Sequence, residues 1–163
     1  MTARPEASFR RLALAGACAL LLVLGGCGPG TGGTGTGPIA STISFTGSTG
    51  PAFSSPAPLP DLLLRLEPAA VELRVPCKRF THTGAWQVNA DGLAAIEGTL
   101  ETTAGGVTNS APATLRVQFR GPVETSTQAT VELRDANGQT VFGPFTAGRQ
   151  DGAAAPVTSA NCS

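Results

Sequence analysis

From Asp61 onward, apolar and polar side chains alternate with the period of two that marks strands with one buried face. Leu62, Leu64 and Leu66 share a face against Leu63, Arg65 and Glu67. Pro68 interrupts, and then Val71, Leu73 and Val75 alternate with Glu72 and Arg74. Arg79 to Val88 places Phe80, His82, Gly84, Trp86 and Val88 together, and Leu93 to Glu101 offers Ala94, Ile96 and Leu100. A two-residue Asp91-Gly92 loop would oppose Trp86 to Glu97, so the faces select a three-residue loop of Ala90, Asp91 and Gly92. That loop opposes Trp86 to Ile96 and Val88 to Ala94, with Gly92 in its left-handed position.

A loop through Ala104-Gly105-Gly106 and Pro112 then leads to Thr114–Arg120, with Leu115, Val117 and Phe119 inward. Ala129–Arg134 follows with Val131 and Leu133 inward. Asn137-Gly138 is a strong hairpin signal, and a two-residue loop there pairs Leu133 with Phe142. Gly143-Pro144 is expected to bend or end that last strand, because proline donates nothing to a ladder. No stretch repeats apolar residues at helical spacing for three turns. Seven closely spaced strands predict an all-β fold, a small antiparallel β-sandwich of immunoglobulin-like type over residues 61–163, with a small closed barrel as the alternative.

The front of the chain follows a different pattern. Arg4, Arg10 and Arg11 precede an apolar run from Leu12 to Leu24, with small residues at its exit. At about 13 residues the run is short of the roughly 20 that a spanning helix needs, and basic head plus short apolar core is the pattern of a cleaved secretory signal. The run ends in Leu24-Gly25-Gly26-Cys27, which resembles the lipobox of bacterial lipoproteins. The resemblance implies cleavage between Gly26 and Cys27, diacylglycerol on the Cys27 thiol and acylation of the new amino terminus. Two or more acyl chains anchor stably where one does not. Gly28 departs from the aspartate that such proteins carry as an inner-membrane retention signal. The resemblance therefore implies the cell envelope, and the outer membrane in a cell that has one.

Between anchor and strands, residues 28–60 contain no charged side chain; eight are Gly, six Pro and eleven Ser or Thr. Such a composition buries too little to offset its ordering entropy and predicts a disordered tether over residues 27–60. As a flexible coil it would span on the order of 30 Å. Within it, Ile39-Ala-Ser-Thr-Ile-Ser-Phe45 clusters β-branched and aromatic residues, with an added edge strand as its alternative reading.

Without residues 1–26 the chain keeps 137 residues, with eight Arg and Lys against ten Asp and Glu. No basic patch emerges, which argues against a nucleic-acid partner. Of the four cysteines, Cys18 leaves with the signal and Cys27 carries lipid. Cys77 and Cys162 remain as an even pair in a compartment that permits disulfides, and a bridge between them is expected.

Candidate chemistry is sparse. His82 is the only histidine, so a Ser-His-Asp or Cys-His site would have to use it; its place beside Phe80 and Trp86 reads as structural. Asn89/Asp91 and Asp135/Asn137 each flank a turn glycine, where such residues serve turn geometry rather than calcium. Glu97, Glu101, Glu124 and Glu132 read as solvated strand faces. Gly32-Gly33 and Gly105-Gly106 join no strand to a helix and are not phosphate loops. Asn161-Cys162-Ser163 has glycosylation spacing at the end of a bacterial-looking chain. No catalytic set and no metal ligand set is predicted, and no cofactor beyond the lipid on Cys27. The expectation is a lipid-anchored, non-enzymatic interaction or accessory module with an envelope protein or glycan as partner. The alternatives are a small apolar-ligand carrier with a barrel-like cavity and an envelope hydrolase.

Overall fold

The computed structural model describes residues 38–50, 60–152 and Cys162. The signal, the lipobox with Gly26 and Cys27, and residues 28–37 and 51–59 of the expected tether lie outside them. Among the described residues there are eight antiparallel strands: β1 Ile43–Gly47, β2 Leu62–Glu67, β3 Ala70–Val75, β4 Lys78–Thr83, β5 Leu93–Ala104, β6 Val107–Phe119, β7 Gln128–Asp135 and β8 Thr140–Gln150. Each pairs with its neighbour in sequence, and β1 also pairs with β8 through Ser44↔Gln150, Phe45↔Arg149 and Thr46↔Gly148. The sheet is a closed up-and-down barrel, not the seven-stranded sandwich expected. The correction has one physical source. The Ile43–Gly47 strand lies upstream of the predicted boundary at Asp61, and it supplies the partner that β8 needs to close the sheet. Residues 38–50 thus belong to the folded unit rather than to a tether.

Alternation decides what fills the barrel. Phe45, Leu62, Leu64, Leu66, Leu73, Phe80, Leu115 and Leu133 point inward and are essentially inaccessible. An eight-stranded barrel has an interior just wide enough for side chains to fill, and these do so as a single apolar cluster. Phe45 and Phe119 meet with ring centroids 6.0 Å apart. Full burial of such side chains contributes about 1.5–3 kcal/mol each. Outward positions carry Arg65, Glu67, Glu72, Arg74, Arg79, Glu97, Arg116, Glu132 and Arg134. This distribution is the reverse of a membrane-spanning barrel, whose outer face is an apolar band.

Three local predictions meet the structure differently. The three-residue Ala90-Asp91-Gly92 turn forms: Asn89 N–H donates to Leu93 O, Gly92 N–H donates to Asn89 O, and Gly92 has φ 78°. The ladder below it does not continue as expected, because β4 pairs with β5 as Phe80↔Leu100 and Thr81↔Thr99. That register is two residues away from the one the turn sets, so residues 84–88 leave the sheet. Trp86 is not opposite Ile96; it folds over the barrel end and donates its Nε1–H to Glu67 O at 2.8 Å.

At the last hairpin Leu133 does pair with Phe142, but by a different route. Asp135 N–H donates to Gln139 O, so the loop has three residues, and a bulge between Leu133 and Arg134 restores the predicted pairing. A second irregularity between Val131 and Leu133 absorbs Gly143-Pro144, so β8 bulges there instead of ending. Residues three apart in a regular strand face opposite ways. The bulge lets Phe142 and Phe145 both turn to the core, ring centroids 4.8 Å apart.

The expected long loop at 104–112 is instead a tight hairpin. Gly105 and Gly106 have φ 57° and 77°, the conformation of a two-residue turn with both central residues left-handed. Strands β5 and β6 pair from Leu93↔Gln118 to Ala104↔Val107.

Candidate functional site

Antiparallel order sorts the connections between two barrel ends. The first, the Trp86 end, gathers residues 38–42, the Pro68-Ala69 turn, residues 84–92, residues 120–127 and the end of β8. The second, the Cys77 end, gathers Ser48–Gly50, the Pro76-Cys77 turn, Gly105-Gly106, the Asn137-Gly138 turn and Cys162.

At the Trp86 end, Ile39, Trp86 and Val123 are buried and cap the core. Outside this cap lies an open groove of about 570 Å³, lined by Pro38, Val88–Gly92 and Gly121–Glu124. Its lining combines short apolar side chains and backbone with the polar side chains of Asn89, Asp91 and Glu124. The Asx residues expected to serve turn geometry do so here. Asn89 Oδ1 accepts from Asp91 N–H and Leu93 N–H, and Asp135 Oδ1 accepts from Asn137 N–H and Gln139 N–H. Among the described residues no group of three or more His, Cys, Asp or Glu is placed to hold a metal ion.

His82 sits where β4 separates from β5. Its Nδ1 lies 2.7 Å from Glu97 O and its Nε2 lies 3.2 Å from Gly84 O. The ring spans the split between the strands with a main-chain carbonyl at each nitrogen, and whichever nitrogen carries the proton donates to the carbonyl beside it.

A smaller concavity of about 190 Å³ lies on the outer surface of β2–β4, among Arg65, Glu72, Arg79, Thr81 and His82. Its charges are mutually engaged: Arg74 Nε and Arg79 Nε lie 2.9 Å and 2.7 Å from the same Glu72 oxygen. Burial raises the Glu72 pKa, but the two arginine hydrogen bonds and charges outweigh it and hold the carboxyl below its usual 4.5. Glu132 has a matching set. The Thr140 hydroxyl donates to it at 2.6 Å and is the main influence lowering its pKa; burial opposes, and Arg134 and Arg116 add to the lowering.

At the Cys77 end, Cys77 and Cys162 form the expected disulfide, Cα atoms 5.4 Å apart. Cys77 has φ 59° in a two-residue turn, a position that usually takes glycine or asparagine. Thr103 N–H donates to Cys77 O, and Gly105 N–H donates to Cys162 O. The bridge is thereby stitched to the β5–β6 hairpin. Beyond it the hairpin projects from the barrel, and residues 104–112 are all exposed. Sequence reasoning missed this projection because it assigned residues 104–112 to a loop; the Gly-Gly pair between hydroxyl-rich flanks was the available signal.

No protein-family model, no curated protein and no solved structure matches this chain.

Proposed function

We propose that this chain is a lipid-anchored module of the cell envelope, held through Cys27 and acting by interaction rather than by catalysis. The observation that carries the reading is the barrel's polarity, a filled apolar interior inside a charged outer face. Such a body belongs in water beside a membrane, which is where a lipid on a preceding segment would hold it. The place of His82 between the carbonyls of Glu97 and Gly84, at the split of β4 from β5, is a structural duty and supports the non-enzymatic half of the proposal. Partners of this class are envelope proteins or glycans reached from the anchored position.

The eight-stranded closed barrel favours a second reading, the apolar-ligand carrier, since barrels of this size hold one small ligand when their interior is open. Phe45, Phe80 and the leucines of β2 occupy that space here, so the anchored module is preferred.

One experiment separates the readings. Full-length protein and a Cys27→Ala variant are expressed in a bacterial host, partitioned with detergent, and weighed intact. The expected result is a wild-type chain in the detergent phase, with the mass of residues 27–163 plus diacylglycerol and an acyl chain. The variant should partition into water. A wild-type mass without lipid would overturn the anchor. An apolar fluorophore that binds the purified barrel stoichiometrically and is released by added lipid would move the assignment to the carrier.

A further inference from the structure

Closing a barrel removes sheet edges, yet part of β6 keeps an edge here. Strand β6 pairs with β7 only from Ala113↔Asp135 to Phe119↔Ala129, while it pairs with β5 from Val107 onward. The phase of the ladder shows which groups are left over. Phe119 N–H donates to its opposite number Gly92 O, and antiparallel pairs alternate between bonded and non-bonded. Odd-numbered residues of β6 therefore bond to β5. Even-numbered residues, Thr108, Ser110 and Pro112 among them, direct their backbone groups away from it. Pro112 would be the next to bond β7, and it has no N–H, so the β6–β7 ladder stops at Ala113. Past that point the N–H and C=O of Thr108 and Ser110 point away from β5, and no strand among the described residues pairs with them.

The side chains around this edge are unusual for an exposed strand. From Thr102 to Ala113 there is no charged residue, although edges are commonly blunted with lysine or inward charge. Val107, at the tip, is 60% exposed, more than any other large apolar side chain among the described residues.

We propose that this edge pairs with the same edge of a second copy of the chain. Antiparallel pairing centred on Asn109 brings Thr108 of one copy opposite Ser110 of the other. Each such pair exchanges two backbone hydrogen bonds, four in all about a two-fold axis, so the contact is isologous and closed. The absence of charge is what allows the edge to meet itself, since like charges directly opposite destabilise a strand pair. Two barrels joined this way point their Trp86 ends in opposite directions. The ten residues between Cys27 and Pro38 extend to about 35 Å at most, enough for both anchors to reach one bilayer from barrels lying along it. The area buried is small, and confinement to a membrane supplies the effective concentration that the contact needs; to that extent the inference rests on the lipid-anchor reading.

The test is site-directed crosslinking in the full-length, membrane-associated protein. Residue 109 would face its own symmetry mate as a non-hydrogen-bonded pair, the closest kind, with Cα atoms about 4.5 Å apart. Asn109→Cys should give a dimer on a non-reducing gel under mild oxidation, with wild type as the blank. Thr108→Cys and Ser110→Cys should give far less, because each is displaced from its own mate by two residues. Adding Ser110→Pro to Asn109→Cys removes two outward donors per dimer and should lower the dimer yield roughly tenfold, with the melting temperature unchanged. Equal crosslinking at all three positions, no dimer, or crosslinking to a different protein would overturn the proposal. The intact mass of the same sample keeps the two ideas apart. A dimer without lipid ends the anchor reading alone, and a lipidated chain without a dimer ends the pairing alone.

Discussion

Gly98 shows how tightly the interior specifies single residues. It lies on the inward face of β5 beside Phe80, and a methyl group placed on it would strike the Thr81 carbonyl and the Phe80 ring. Neither can retreat easily, since Thr81 pairs with Thr99 and Phe80 is fully buried. Gly98→Ala is therefore expected to destabilise the barrel by about 1–3 kcal/mol, the usual cost of overpacking, although alanine suits a strand no worse than glycine. Chemical denaturation of the variant checks this. A midpoint equal to wild type would mean that the Phe80 ring has room to move. The place of the nearby His82 between Glu97 O and Gly84 O was not legible in the sequence, because the split between β4 and β5 follows from a register that alternation leaves open.

At the scale of elements, local signals set the turns while the ladders obey more distant partners. Asn89 to Leu93 closes as its residues predict, yet two more residues must leave the sheet before Phe80 can meet Leu100. The Leu133↔Phe142 pairing was readable from matching faces, whereas the three-residue loop and compensating bulge that produce it were not. Ile43–Gly47 was the least legible strand. Its flanks read as disordered by composition, and its partners are Leu62–Leu66 across an intervening segment and Gly148–Gln150 about a hundred residues downstream. The Cys77–Cys162 bridge is the covalent element of the same kind, closing 85 residues. Chain-entropy reasoning gives such a loop roughly 4–5 kcal/mol. A Cys77→Ser/Cys162→Ser double variant should lose most of that in denaturation, and an unchanged midpoint would show that the unfolded chain is already constrained without it.

For the whole molecule, fold class was legible and closure was not. Alternation distinguishes a buried face from a solvated one, and both a sandwich and a barrel satisfy it; the choice falls to whether the first strand finds the last. The outer face then carries its own condition. Glu72 and Glu132 both titrate below the usual carboxylate value when folded. A depressed folded pKa gives stability that is complete above the unfolded value, near 4.5, and is lost as pH falls through the folded one. Melting temperature should therefore drop as pH falls below about 5, and a Glu72→Gln/Glu132→Gln variant should drop less. A variant with the wild-type slope would remove these two carboxylates as the cause.

The disulfide also divides the chain mechanically. Strands β4 to β8 lie inside the covalent loop from Cys77 to Cys162, whereas β1 to β3 lie outside it. A pull transmitted from the amino-terminal side reaches Pro38 first and meets β1, which is held to both β2 and β8. Three strands can be drawn out before the load reaches a covalent bond. The extension is then limited to the forty residues from Pro38 to Cys77, about 140 Å of contour. A body tied to an envelope by its leading end would thus stretch by a fixed length under shear, and the five remaining strands would stay linked and ready to re-form the barrel.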